Sequence, residues 1–332
     1  MTDTPSDSTL VVVPCTDLDA AIALYTQQRG FRLDMIMPAD APRIALVSRD
    51  GVMLRLDASD ASDAADPSII SQQAAHGFQI IRANSADAWT VGRAGMQYRD
   101  LIPGRLDGRF IASHIRIPDG GQVPDYVHYH HVRLQLIYCR RGWVRVVYED
   151  QGEPFTMQAG DCVLQPPTIR HRVLESSPGL EVIEIGCPAE HETWRDHAIA
   201  LPTAQLRPER SFGGQRFVRH VAAEADWQPA RDARLAYRDT GISNATNGLA
   251  SVRVLRLRDA AAHDAAPTSQ VHDGEFLFLC ALEGRCSLLS RAFGNHTLDA
   301  GDACVIPTGA DYAFDTDATC EILEVALPAS LT

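Results

Sequence analysis

The sequence contains no lysine: all 30 of its Lys/Arg-class cations are arginine. That absence removes Schiff-base chemistry and the phosphate-binding lysine of a P-loop. No run approaches the roughly 18 apolar residues of a membrane span. The polar, acidic start from Met1 to Ser8 and the short apolar stretch Leu10 to Pro14 do not read as a targeting signal. The eight cysteines, at positions 15, 139, 162, 187, 280, 286, 304 and 320, include no C-x-x-C pair. Such scattered usage fits reduced core thiols, and cytoplasm is the expected location. Positive charge is also in deficit. With 43 Asp and Glu the formal net charge is -13, which argues against nucleic acid and anionic membranes as partners. No helix-turn-helix segment is present to report binding to DNA.

What is there is a soluble composition, 45% hydrophobic and 22% charged over 332 residues, enough for two or three domains. The strongest internal signal is a repeat. Tyr98-Arg99-Asp100 recurs as Tyr237-Arg238-Asp239. Gly160-Asp161 with Pro166 recurs as Gly301-Asp302 with Pro307, and the Glu181 to Glu184 stretch recurs from Glu321 to Glu324. The offsets cluster near 140 residues, so one domain is duplicated. Within each copy, alternating or continuous apolar runs such as Val144 to Tyr148 and Leu174 to Ile185 are punctuated by Gly, Pro and Asp about every 8–12 residues. This spacing predicts a mainly β fold of sandwiches or small barrels.

Residues 1–58 lie outside the repeat. A strand at Leu10 to Pro14 and a helix with Leu18, Ile22 and Tyr25 on one face come first. Strands near residues 32–37, 43–48 and 52–56 then complete a β-α-β-β-β order. Residues 59–97 read as a linker, 98–200 as the first repeat, and 201–332 as a second linker and the second repeat. A short helix is expected near Glu192 to Ala200.

The chemistry concentrates in the first repeat. His128 and His130 are two apart and therefore share a strand face. Gln135 follows, then Gly142, and Gly160, Pro166 and His171 come later. Two histidines on one strand, a third from a strand brought alongside and one oxygen donor make a four-ligand metal site.

These residues resemble the two motifs of the cupin superfamily. The resemblance implies that His128, His130, Gln135 and His171 bind one divalent transition metal per chain, iron, zinc, nickel or manganese. It also implies tandem cupin barrels. Gln135 stands where glutamate is usual, Thr168 where the second motif has glycine, and Glu175 where asparagine is common. In the second repeat the ligand positions hold Gln270, His272, Leu277 and Tyr312, so that barrel is expected to be structural, with His272 a core histidine. Residues 1–58 resemble half of a vicinal-oxygen-chelate (glyoxalase/bleomycin-resistance) domain. Leu10 replaces its metal-binding histidine, and Arg55 and Asp57 lie where its glutamate is usual, so its metal function is lost. Such modules work in pairs, which implies a homodimer. Packing of the module against its own cupin is the alternative.

Three imidazoles and an amide are all neutral and leave the full charge on an ion, which favours Lewis-acid chemistry. The expected activity is isomerisation, cyclisation or elimination on a small oxygen-rich carbonyl or carboxylate substrate. An Fe(II)-dependent dioxygenase and a non-catalytic small-molecule binder are the alternatives. His114 and Arg116, on an early barrel strand, are the candidate catalytic residues, the arginine suiting a carboxylate through a bidentate pair. Tyr129, Tyr138 and Arg170 are expected on the face opposite the ligands.

Overall fold

A computed structural model of the chain describes residues 10–59, 78–83, 89–102, 104–257, 266–316 and 319–328. Most of the expected linker, residues 60–77 and 84–88, lies outside the described residues.

The N-terminal unit has the expected order. Asp17 caps the helix Leu18–Ala23 by accepting a hydrogen bond from the Ala20 amide at 2.9 Å, and a further turn, Leu24–Gln28, follows. Leu18, Ile22 and Tyr25 lie against Ala45, Val47 and Leu56 of the sheet. Val11–Pro14 pairs in parallel with Val52–Asp57, and Ile44–Arg49 joins that strand to Arg32–Met37. The outer edge of Arg32–Met37 pairs with Thr193–Arg195 of the same chain, which in turn pairs with His128–His130. The module is thus fused edge to edge with its own first barrel. The helix expected near Glu192 is instead this bridging strand, because two open sheet edges compete for its backbone and local helical preference loses.

Two tandem double-sheet β-barrels follow. In the first, one sheet runs from His128–His130 through His171–Ser176 and Trp143–Tyr148 to Phe155–Gln158. The facing sheet is centred on Leu134–Arg141, Leu180–Cys187 and Ile111–Ile117. The second barrel repeats this plan with Phe276–Glu283, Cys320–Leu327 and Ser251–Leu257 facing a four-stranded sheet. One buried cluster joins the barrels. Leu134, Leu136, Tyr138 and Ile185 pack with Val252, Phe278 and Val325, and Phe110 stacks on Phe276 at 4.1 Å between ring centres.

The segments read as linkers carry strands, and they cross over. Gln79–Ile81, which precedes the first barrel, pairs with Ala303–Val305 of the second. Val218–His220, which precedes the second, pairs with Cys162–Leu164 of the first. Each barrel therefore has an edge covered by the lead-in to the other. The repeat extends upstream of Tyr98, and the two barrels form one interlocked body.

Among the described residues no helix is long and apolar enough to cross a membrane. Seven of the eight cysteines are buried, and all eight are free thiols.

Candidate metal centre

His128 and His130 project from the same face of one short strand, and His171 stands directly opposite His128 in the neighbouring strand. The turn that delivers His171 is tied to the ligand strand by the Thr168 amide, which donates to the His130 carbonyl at 3.0 Å. Thr168 has φ +66°, so a β-branched residue occupies the left-handed conformation that glycine adopts most easily. Gly142 turns the chain after the Leu134–Arg141 strand at φ +75°, where a Cβ would collide with Ser177 Oγ.

The three imidazoles each offer a ligand atom within 4.8 Å of the other two, and all three are buried. Their second nitrogens are already engaged. His128 Nδ1 donates to the Tyr126 carbonyl at 2.8 Å and His171 Nδ1 to the Ile169 carbonyl at 3.0 Å. His130 Nδ1 lies 3.0 Å from Thr193 Oγ1, on the bridging strand. Such bonds hold the ring that carries them and leave Nε2 as the free lone pair. His128 Nε2 is buried with no hydrogen-bond partner. Burial pushes His128 and His130 well below the ordinary histidine range and His171 down to about 4, so all three are neutral near pH 7. An orphaned buried nitrogen among three neutral, oriented imidazoles fits a metal ion.

Gln135 comes from the facing sheet and not from the strand next to the histidines. It lines the same chamber as His130 and His171. Its Nε2 donates to Glu184 Oε1 at 2.5 Å. Glu184 is a buried carboxyl whose pKa burial raises, against the smaller lowering influences of His191 and of the Gln135 bond. Sequence reasoning used Glu184 only as a marker of the repeat. The missed signal was its parity: Val182 and Glu184 share one face of the strand, and that face lines the chamber. A cavity of about 80 Å³ remains, walled by Ile115, Ile117, Ile137, Val144, Val146 and Val182. A water needs about 10–15 Å³ of such space, so the chamber suits a small molecule. Two further residues from outside the barrel strands, Ala39 and Arg93, also line it.

His114 and Arg116 do not reach this chamber. Their strand turns Ile115 and Ile117 inward, which places both candidates on its other face. His114 Nε2 lies 3.0 Å from Glu181 Oε2, and Arg116 donates to Gln97 Oε1 at 2.6 Å with its guanidinium 3.8 Å above the Trp89 ring. Which face of this strand turns toward the chamber, which the sequence leaves open, decides their placement. Tyr138 is in the cluster between the barrels, and Arg170 lies over Tyr129 at 4.2 Å.

The second barrel is filled. Leu277, Leu279, Leu288, Leu298, Tyr312 and Phe314 occupy its interior. Gln270 is exposed. His272 accepts at Nδ1 from the Gly274 amide at 3.3 Å, while its Nε2 is buried without a partner, so it is only half satisfied as a core histidine. The carboxyl matching Glu184 is Glu324, and Arg253 Nε donates to it at 3.0 Å.

Comparison with known families and structures agrees with this geometry. Residues 113–185 match the family model of the cupin domain. The matched residues lie within the first barrel. Among solved structures, a variant of salicylate 1,2-dioxygenase from Pseudoaminobacter salicylatoxidans is similar, with TM-score 0.55 and 14% identity over 76% of this chain and 84% of that one. A variant of Bacillus subtilis oxalate decarboxylase gives TM-score 0.54 and 10% identity over 76% and 78% of the two chains. At these identities the likeness is one of fold. No curated protein sequence matches the chain. The vicinal-oxygen-chelate resemblance of the N-terminal module receives no support from these cupin matches.

Proposed function

We propose that the chain is a metal-dependent cupin enzyme with one divalent transition metal in the first barrel, held by His128, His130, His171 and Gln135. The observation that carries this reading is the convergence of three buried, neutral imidazoles, each oriented through its other nitrogen, beside a chamber that His130, His171 and Gln135 line. The ion would act as a Lewis acid on a bound carbonyl or carboxylate. Gln135 gives its amide nitrogen to Glu184, which leaves its oxygen as the donor for the ion. Glu184 thus orients Gln135. The aliphatic walls exclude water and accept an apolar substrate body, so the substrate is less oxygen-rich than the ligand set alone suggested. Isomerisation, cyclisation or elimination on a small carbonyl or carboxylate compound is the reaction class.

Iron-dependent dioxygenation is the second reading, favoured by the fold likeness to salicylate 1,2-dioxygenase. The partner is a small molecule, and nucleic acid is disfavoured by the charge of -13. A homodimer remains part of the proposal. Its surface would be the Val11–Pro14 edge, where Leu10, Val11 and Val12 are 43%, 50% and 54% exposed.

The test is elemental analysis of untagged protein beside the His128→Ala/His171→Ala double variant. About one equivalent of metal in the wild type, absent from the variant, is expected for a four-donor site. Iron together with oxygen-dependent turnover would select the dioxygenase. A wild type that takes up no metal even on reconstitution would leave a non-catalytic binding module.

A further inference from the structure

The chamber contains a cation that the metal reading does not use. Arg93 lines it, with its side chain only 10% exposed. This arginine belongs to the short turn Arg93–Gly95, ahead of the first barrel, and the N-terminal module holds it in place. Its amide donates to the Ala39 carbonyl at 3.3 Å. Gly92 approaches so closely that a Cβ there would lie 2.8 Å from the Asp40 carbonyl oxygen and 2.9 Å from that of Ala39.

Arg93 Nη1 is paired with Asp125. That carboxylate is itself anchored, accepting from the backbone amides of Tyr126 at 2.8 Å and Val173 at 2.9 Å. The pairing holds the guanidinium in one orientation but does not exhaust its donors. Arg93 Nε is buried with no hydrogen-bond partner. An unmet donor on a buried cation is costly, and a guanidinium is best satisfied by a carboxylate. The nearby acid Glu184 already accepts a hydrogen bond from Gln135 Nε2. Much of the remaining wall is aliphatic.

We propose that Arg93 is the anion anchor of the chamber, and that the ligand is a small monocarboxylate with an apolar body. The carboxylate sits on Arg93 and the body lies against Ile115, Ile117, Val144 and Val146. The N-terminal module then has a binding role: residues 39–40 position the residue that selects charge. This deepens the metal-enzyme reading and rests on it for the chemistry. Carboxylate recognition at Arg93 itself needs no metal.

The test is calorimetry with isobutyrate and its neutral isostere isobutyramide, on the protein as purified and after chelation. The acid should bind about tenfold or more tightly than the amide in both forms, as expected for a charge-assisted pair. Arg93→Gln should lose that preference while keeping its metal content, and Arg93→Lys should restore part of it. In wild-type protein with ¹⁵N-labelled arginine, isobutyrate but not isobutyramide should shift one guanidinium Nε–H resonance. That reading stands even if the variants fail to fold. The proposal is overturned if wild type shows no preference, if Arg93→Gln retains it, or if chelation abolishes it, since the carboxylate would then sit on the metal. A wild type that lacks metal yet keeps the preference would sink the metal-enzyme reading and leave the anchor standing.

Discussion

The two barrels share a strand plan and differ in what fills them. In the first, Gln135 and Glu184 face a chamber; in the second, Leu277 stands at the matching register and Glu324 is ion-paired with Arg253. The first keeps Thr168 at φ +66°, whereas the second has Gly309 at φ +82° in the equivalent turn. The barrel with the candidate site thus carries buried imidazoles, a carboxyl hydrogen-bonded to an amide rather than to a cation, and a strained turn. Its twin keeps one buried imidazole, His272, but pairs the carboxyl, relaxes the turn and sets Gln270, Leu277 and Tyr312 at the other ligand positions. A duplicated fold allows this division, because the filled barrel stabilises a body in which the hollow one can tolerate strain.

The largest expected contrast is in metal retention. His128→Ala or His171→Ala should abolish it, whereas His272→Ala should leave it unchanged, as read by elemental analysis. Metal loss on His272→Ala would end the asymmetry. Next comes packing. Leu288 is fully buried in the second barrel, and Leu288→Ala should cost about 2–5 kcal/mol in urea denaturation. Val146→Ala should cost clearly less, since that side chain already borders empty space. Equal losses would mean that the first barrel is as tightly filled as the second.

The buried acids give a smaller contrast. Glu324→Ala leaves Arg253 without its partner and should cost about 1–3 kcal/mol, below the roughly 3–5 kcal/mol of a fully buried broken pair because Arg253 is partly exposed. Glu184→Gln can keep the bond to Gln135 through its amide oxygen and removes a carboxyl that burial disfavours, so stability should hold or rise. Thr168→Gly should raise stability by up to about 1 kcal/mol, relief of turn strain exceeding the entropy cost of glycine, and Gly309→Thr should lower it. Thermal midpoints would measure both.

The smallest effect concerns acid. The hydrogen bond from His114, helped by Arg140, holds Glu181 down to about 2. A depressed carboxylate contributes stability above its ordinary value near 4.3, and that contribution disappears as pH falls toward about 2. His114→Ala should therefore narrow the difference in stability between pH 6 and pH 3, measured by denaturation at each. An unchanged difference would show that the pair does nothing for the fold.

Much of the candidate site was legible because its signal is local. His128 and His130 sit two apart on a strand, and His171 follows a proline turn at a readable distance. Glu184 and Arg93 were not legible. The first was hidden in a repeat marker, and the second lay in a segment whose composition reads as a linker. His114 and Arg116 failed for a related reason, since periodicity says which residues share a face but not which face meets the chamber.

By itself, the sequence determined the duplication, the β periodicity, the β-α-β-β-β module and three histidines at ligand spacing. These follow from alternation and turn chemistry, which act over a few residues. Only the tertiary structure decided the crossing of the lead-in strands, the fusion of the module to the histidine sheet and the membership of the chamber wall. Each depends on which open sheet edge a strand finds and which face it turns inward. Backbone hydrogen bonding at an edge is nearly independent of side chain, so short segments such as Gln79–Ile81 and Thr193–Arg195 carry little local mark of their partners.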